Sequence, residues 1–249
     1  MENPFLLTNK TILVTGLDNE VGRTVAMHCA NMGGRLVLIH HDEDVLDQLL
    51  AQVPNGNHER IVGNLYDIET LDDIVRNIPS VDGWSNNIMQ SATILTKSIS
   101  QKTMKTLEDV NVHIPVLLLQ KLVKGKKLNN PSSVVLTSSV SGVYTVHFAD
   151  SLNALVHGAI NGFAKGAALD LARLGIRVNT LNMGVVECSD TFADSILSEE
   201  ELNEKRNYFP LKRFGSPQDV ANATAYFLSD ASSWITGVHI PVDGGYTLL

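Results

Sequence analysis

A glycine-containing turn near the start of the chain could bind a phosphate group. It reads Thr15-Gly16-Leu17-Asp18-Asn19-Glu20-Val21-Gly22 and stands between a short β-branched run and an amphipathic helical pattern. Strand, glycine turn and helix in this order are typical of dinucleotide sites, in which backbone amides at the helix start hold the pyrophosphate. Gly16 and Gly22 stand where such a loop needs a tight turn and close helix packing. The turn therefore predicts a nucleotide-binding loop.

The middle of this turn is unfavourable for a phosphate. Glu20 adds bulk and negative charge where a glycine would let backbone amides approach the pyrophosphate. Asp18 and Asn19 are good helix-capping residues, so the turn could also serve only to start the helix. His40 and His41 stand where an acid would bind the ribose of NAD or an arginine the extra phosphate of NADP. We expect NAD or NADP to bind weakly or not at all.

One domain can hold these residues in place. The chain has 249 residues, of which 44% are hydrophobic and 18% are charged, and no linker, repeat or composition shift divides it. This is the composition of an ordinary globular protein, and α/β sheets of about 250 residues often form a single domain. We therefore expect one domain over residues 1–249.

Charge and composition exclude several classes of partner and site. The formal net charge of -8 disfavours nucleic acid, whose phosphates it would repel. Cys29 and Cys188 are too few for a disulfide framework, and the spacing of the cysteines and histidines predicts no metal site. No apolar run approaches the roughly 20 residues that cross a bilayer, and the first residues do not resemble a signal peptide. We expect a cytoplasmic protein that does not bind membranes.

Short β-branched runs alternate with amphipathic stretches along the chain, which is the pattern of a parallel sheet covered by helices on both faces. A helix is predicted over Met104–Lys124, where apolar residues recur every three or four positions. Ser198 and the acidic residues after it predict a helix start within a polar segment, Ser189–Pro210, that we expect to be a mobile lid. The predicted strands are Thr11–Thr15, Leu36–Ile39, Arg60–Gly63, Val81–Ser85, Val134–Thr137, Arg177–Leu181 and Val238–Val242.

Segments spread over the chain also match the motifs of one enzyme family. They are the turn Thr15–Gly22, the pair Asn64-Leu65, the segment Asn86–Met89 and the longer stretches Gly158–Asn179, Pro210–Pro217 and Trp234–Gly245. Together they resemble the short-chain dehydrogenase/reductase family, in particular its β-ketoacyl carrier-protein reductases. This resemblance spans nearly the whole chain and implies a Rossmann-like, doubly wound α/β sheet of seven mostly parallel strands with helices on both faces.

Only half of the family's catalytic residues are present. The resemblance places the family's Asn on Asn111 and its Ser on Ser139, but Asn153 stands at the position of the catalytic Tyr and His157 at that of the Lys. A carboxamide cannot give up a proton at neutral pH, so general-acid help of about 10²- to 10⁴-fold is missing. A register shifted by one residue would place two apolar residues there instead, Leu152 and Val156.

The resemblance also implies which residues would contact a dinucleotide. Some positions next to them differ from the family, among them Ile88, Met89 and Met183. The implied contacts are Gly16, Asn19, Glu20, Val21, Gly22, His40, His41, Asn64, Leu65, Asn86, His157, Gly184 and Val186.

Our first hypothesis is a non-catalytic or severely impaired relative of the oxidoreductases, kept as a small-molecule binding protein or as the partner of an active paralogue. The resemblance implies a homo-oligomer, a tetramer or dimer, that assembles through the helices Met104–Lys124 and Asn153–Arg173. Small residues would let the second helix pack closely, namely Ala154, Gly158, Gly162, Gly166 and Ala167.

The alternative is a working NAD(P)-dependent oxidoreductase in which His157, an imidazole that titrates near neutral pH, and Ser139 replace the Tyr and Lys. A third hypothesis is a hydrolase built from Ser139 with His157 or His147. No Gly-x-Ser-x-Gly turn surrounds this serine and no orienting acid is evident, so we place the hydrolase last.

Overall fold

The computed structural model describes residues 3–54, 56–189 and 198–249, and within them it has one sheet of seven parallel strands. Their spatial order is β3-β2-β1-β4-β5-β6-β7. This order reverses between β1 and β4, where an open α/β sheet binds its ligands beyond the carboxyl ends of the strands. The strands are β1 (Thr11–Thr15), β2 (Arg35–His40), β3 (Glu59–Val62), β4 (Val81–Asn86), β5 (Leu128–Ser139), β6 (Ile176–Met183) and β7 (His239–Val242).

The predicted fold and each of the predicted strands are confirmed. The main difference is β5, which begins six residues before the predicted Val134 because Leu128 and the residues after it continue the pairing with β4 and β6. Buried side chains alternate between the two faces of β1, with Ile12 and Val14 on one side and Leu13 on the other. The sheet therefore needs an apolar cover on both faces.

Helices provide this cover on both faces of the sheet. Three of them, α1 (Glu20–Asn31), α2 (Glu43–Gln52) and α8 (Pro217–Leu228), pack on the face of Ile12 and Val14. The opposite face, that of Leu13, is covered by α3 (Leu71–Asn77), α5 (Ile114–Lys124) and α6 (Ser151–Leu171). None of the helices that the structure describes combines the length and hydrophobicity needed to cross a bilayer.

The predicted helix Met104–Lys124 is interrupted. It consists of α4 (Gln101–Glu108), a π-helical turn (Asp109–His113) and α5, and it begins earlier than predicted because Ser100 caps α4 by accepting from the Thr103 N–H. Single π turns are frequent at functional sites. The helix expected to end at Arg173 ends as α6 at Leu171 and continues as a 3₁₀ turn, Ala172–Leu174.

The helix start at Ser198 is confirmed. The helix α7 (Glu199–Asn207) begins with a capping box, in which Ser198 accepts from the Glu201 N–H and Glu201 accepts from the Ser198 N–H. The predicted lid falls partly on residues 190–197, which lie outside the described residues.

Candidate functional site

A cavity of about 400 Å³ lies beyond the carboxyl ends of the strands, between the start of α1 and the start of α6. Its walls bring together Ser139, Asn153 and His157 with residues of the glycine turn. Leu152 and Val156, the pair of the alternative register, pack instead in an apolar cluster with Leu107. From the predicted site, the lining also includes Asn19, Glu20, Val21, His147, Gly184 and Val186.

The side-chain amide of Asn153 is bonded to backbone. Its Oδ1 accepts from the Ala92 N–H at 3.0 Å, and its Nδ2 donates to the Ala92 carbonyl at 3.1 Å and to Asp150 Oδ1 at 2.7 Å. The side chain is buried, so these contacts replace those with water. Asn153 thus fastens the segment after β4 onto α6.

Asn111 holds the same segment from the other side. It lies in the π turn, accepts from the Gln90 N–H at 3.1 Å and donates to the Gln90 carbonyl and the Leu107 carbonyl, each at 2.9 Å. Two asparagines on different helices therefore pair with backbone groups only two residues apart. Asn111 is buried and is not among the residues that line the cavity.

His157 lies in the wall of the cavity and is buried. Its Nδ1 lies 3.2 Å from Ser138 Oγ, and burial lowers the pKa of the imidazole to about 4, although the charge of Asp150 acts in the opposite direction. At neutral pH the ring is therefore uncharged and has no acidic proton to give. Ser138 Oγ also accepts from Asn161 Nδ2 at 3.0 Å, which joins His157 to a buried polar network.

This arrangement contradicts the version of the hydrolase hypothesis that pairs Ser139 with His157. The serine that contacts His157 is Ser138 and not Ser139, and Ser138 is completely buried. The hydroxyl of Ser139 accepts instead from the Ser141 N–H at 3.2 Å. An accessible nucleophile bonded to a histidine, which a serine hydrolase needs, is not formed by these residues.

The two retained glycines of the turn are required by its packing. Gly16 has φ +83°, and a Cβ there would lie 2.2 Å from the backbone carbon of Asn87. A Cβ on Gly22 would lie 2.0 Å from the Gly16 carbonyl oxygen. Asn19 caps α1 by accepting from the Gly22 N–H at 2.9 Å and donates to the Asn87 carbonyl at 2.9 Å. These contacts within the chain shape the turn.

Glu20 places a carboxylate on the cavity wall at the start of α1. Its Oε2 accepts from the backbone N–H of Ser189 at 2.7 Å and from the Ser189 hydroxyl at 2.8 Å. These hydrogen bonds lower the pKa of Glu20, so it is ionised at neutral pH. A helix start attracts anions, and this carboxylate adds a negative charge close to the end of α1 that would otherwise favour a phosphate.

The far end of the turn is lined by side chains that hydrogen-bond to one another. Tyr66 donates its phenolic O–H to Asp18 Oδ2 at 2.9 Å, while His40 Nε2 lies 3.1 Å from Asp18 Oδ1. Burial raises the pKa of Tyr66, with a further contribution from the Asp18 charge, so the phenol keeps its proton. The space left between Gly16, Leu65 and these residues is about 10 Å³, room for about one water molecule.

Several residues predicted to contact a dinucleotide form hydrogen bonds at or just beyond the carboxyl ends of the strands. Asn86 Oδ1 accepts from Thr15 Oγ1 at 3.0 Å, and Asn64 Oδ1 accepts from the Tyr66 N–H at 3.0 Å in the turn after β3. Gly184 donates its N–H to the Val242 carbonyl at 3.1 Å, and Val186 pairs with Gly215.

No motif in the sequence pairs Asp18 with Tyr66. The two residues are 48 positions apart, and only the adjacency of β1, β2 and β3 brings their loops together. The same loops bring Asp18, His40 and His41 into a group whose ligand atoms lie within 4.8 Å of one another and could hold a metal ion. Spacing along the chain gave no signal for this group.

Known proteins resemble this chain over its whole length. A family profile described as enoyl-(acyl carrier protein) reductase matches residues 16–247. The uncharacterized oxidoreductase YmfI of Bacillus subtilis (strain 168) is 30% identical, with 96% of this chain and 99% of that protein aligned. The 3-oxoacyl-(acyl-carrier-protein) reductase FabG of Rickettsia felis is 27% identical, with 98% and 99% aligned.

Solved structures show the same architecture. A gluconate 5-dehydrogenase from Burkholderia cenocepacia, solved in complex with NADP and tartrate, superposes with a TM-score of 0.88 at 19% identity, covering 99% of this chain and 98% of that one. At this identity the likeness concerns the fold. The family profile covers nearly the entire sequence, and the chain therefore belongs to the short-chain dehydrogenase/reductase family of oxidoreductases.

Proposed function

We propose that this chain is a non-catalytic member of the family that no longer binds a dinucleotide and acts as a binding protein or partner subunit. The observation that carries the proposal is the Tyr66–Asp18 contact, which leaves about 10 Å³ where the family places adenosine. NAD and NADP do not fit this arrangement, because adenosine would have to displace the Tyr66 side chain, which is 42% exposed, from its contact with Asp18.

Charge supports the same conclusion. Asp18 and Glu20 place two carboxylates along the path that a dinucleotide diphosphate would follow from one end of the turn to the other. Like charges repel, so both carboxylates disfavour a diphosphate along this path. A dinucleotide would have to displace both side chains from their hydrogen bonds before its phosphates reached the start of α1.

The catalytic residues support it as well. Reduction of a ketone by hydride transfer leaves an alkoxide that must take up a proton, and neither Asn153 nor the uncharged His157 can supply one at neutral pH. The missing general acid corresponds to about 3 to 5 kcal/mol of activation free energy. The alternative, an oxidoreductase that uses His157 and Ser139, needs a protonated imidazole that burial disfavours.

The pattern of retained glycines is the third support. Gly16 and Gly22 are held by the packing of the turn, whereas position 20 would need a glycine only to let a phosphate approach. The turn has therefore kept what folding requires and lost what the cofactor requires.

The proposed partner is a second copy of this chain or an active paralogue. An apolar stripe with helical spacing lies exposed along α6, and a Cβ added at Gly162 or Gly166 would meet nothing within 4 Å. Ala167, expected on this surface, is instead buried in the chain's own core. The stripe consists of Leu155, Ala159, Gly162, Gly166 and Leu169. Solution scattering at micromolar concentration tests the homo-oligomer, and a monomer there would contradict it.

Calorimetric titration with NADH and with NADPH tests the loss of the cofactor. We expect no saturable binding of either dinucleotide up to about millimolar concentration, equivalent to a binding free energy weaker than about -4 kcal/mol. Micromolar affinity for either one would contradict the proposal and would favour the oxidoreductase that uses His157.

A further inference from the structure

We propose that Asp18, His40 and His41 form a binding site for a divalent transition metal, with Zn²⁺ as the best match. Asp18 Oδ1 lies 3.1 Å from His40 Nε2 and 3.9 Å from His41 Nδ1, and the ligand atoms all lie within 4.8 Å of one another. A tetrahedral Zn²⁺ with bonds of about 2.0–2.1 Å needs ligand atoms about 3.3 Å apart. Small side-chain movements therefore suffice to bind the ion.

The contacts behind these side chains fit a metal site. His40 Nδ1 accepts from the Asp42 N–H at 3.0 Å and also lies 3.1 Å from the Asp42 carbonyl oxygen. Binding of the ion through Nε2 would exchange the first contact for an Nδ1–H donated to that carbonyl. Metal-binding histidines usually donate their second ring N–H to a carbonyl or carboxylate in this way. Tyr66 donates to Asp18 Oδ2, which leaves Oδ1 directed at the two imidazoles.

The two imidazoles are held side by side. The rings of His40 and His41 stack with centroids 4.4 Å apart and planes 30° apart. His40 is buried, whereas 55% of the His41 side-chain surface is exposed, which gives an ion access from solvent. Among the residues that the structure describes, no other group of three His, Cys, Asp or Glu side chains comes this close together.

The ligand types select the metal. Imidazole suits Zn²⁺, Cu²⁺ and Ni²⁺, whereas Mg²⁺ and Ca²⁺ prefer oxygen ligands. Three protein ligands leave one tetrahedral position for water or for an outside ligand. Bound here, the ion would fasten the turn after β1 to the end of β2. This inference does not depend on the absence of catalysis, because the ligands lie at the opposite end of the turn from His157.

A zinc titration of the metal-stripped protein, in competition with a chromophoric chelator, tests the site. We expect one Zn²⁺ per chain. His41→Ala and Asp18→Asn should each weaken zinc binding by more than about 10-fold, and Tyr66→Phe should weaken it by about 10-fold. The matched control is His113→Ala, which removes an exposed histidine that pairs with a single aspartate, Asp109, and it should leave the zinc affinity unchanged.

Circular dichroism of each variant separates lost ligands from lost folding, and X-ray absorption of the zinc-loaded wild type gives the ligand types directly. Two imidazoles in the first coordination shell support the proposal. The proposal would be overturned if the wild type bound less than one Zn²⁺ per chain, or if His41→Ala bound zinc with the affinity of the wild type. The dinucleotide titrations are separate measurements, so either proposal can fail while the other stands.

Discussion

The carboxylate of Glu20, the first residue of α1, accepts from both the backbone N–H and the hydroxyl of Ser189, six residues after the end of β6. The side chain that replaces the cofactor glycine is therefore also a connection between two sides of the cavity. Its charge and its bulk act separately on a phosphate, which allows them to be tested separately.

Removing Glu20 should strengthen nucleotide binding once the adenosine end is open. In a Tyr66→Ala background, Glu20→Gly removes both the charge and the bulk, and we expect NADH to bind at least about 10-fold more tightly than to Tyr66→Ala alone, a gain of about 1.4 kcal/mol. Glu20→Gln keeps the bulk and should give a smaller gain. Nicotinamide fluorescence measures the affinity, and equal affinities in the three proteins would show that the carboxylate does not oppose the phosphates.

Asn153→Ala should destabilise the fold. The substitution leaves the N–H and the carbonyl of Ala92 without their partner, which costs about 1–3 kcal/mol in the free energy of unfolding. Lys165→Ala, at an exposed position of the same helix, is the control and should change stability by less than about 0.5 kcal/mol. Urea denaturation measures both. If Asn153→Ala were as stable as the control, the amide would not have the structural role described.

His157 should make the protein less stable in mild acid. The folded state holds the imidazole uncharged with a pKa of about 4, whereas the unfolded chain has the ordinary value of 6.5. The stability that this group contributes is complete above pH 6.5 and is lost as the pH falls toward 4, because the unfolded chain binds the proton first. Between pH 7 and pH 5 the free energy of unfolding of the wild type should fall by about 2 kcal/mol more than that of His157→Gln.

Urea denaturation at the two pH values tests this expectation. Parallel losses in the wild type and His157→Gln would mean that the folded protein protonates the imidazole readily. That result would favour the oxidoreductase hypothesis, which needs a protonated His157 imidazole as the acid.

The glycines of the turn should matter for folding without a ligand. Gly22→Ala brings a Cβ to within 2.0 Å of the Gly16 carbonyl oxygen, so we expect a loss of about 1–3 kcal/mol or more in unfolding free energy. Gly215→Ala is the matched control, since its Cβ would lie no closer than 3.4 Å to any neighbour and it lies outside the exposed stripe of α6. Thermal unfolding measures the stability of both variants. A Gly22→Ala protein as stable as Gly215→Ala would show that the turn does not need a glycine at position 22.

The sequence predicted the sheet because its signals are local. Each strand, such as Thr11–Thr15, is an apolar run next to turn residues, and Ser198 carries its own capping box. The π turn had no such signal, since Asp109–His113 continues the apolar periodicity of a regular helix. The cavity residues Asn153 and His157 could be found by resemblance to the family, yet their bonding partners could not.

The side-chain contacts at the two ends of the turn join residues that are distant in the sequence. Tyr66 meets Asp18 only because β3 and β1 flank β2, and His157 meets Ser138 rather than the adjacent Ser139 because successive residues of β5 point to opposite faces. Residue types alone do not report which of two neighbouring serines faces α6. The most informative features of the site thus required the three-dimensional structure.

A crystal structure grown with millimolar NADH tests the central claim most directly. We expect electron density in which the Tyr66 hydroxyl still donates to Asp18 and no ordered dinucleotide lies along the turn. A dinucleotide with its adenosine between His41 and Leu65 and its diphosphate at the start of α1 would contradict the account.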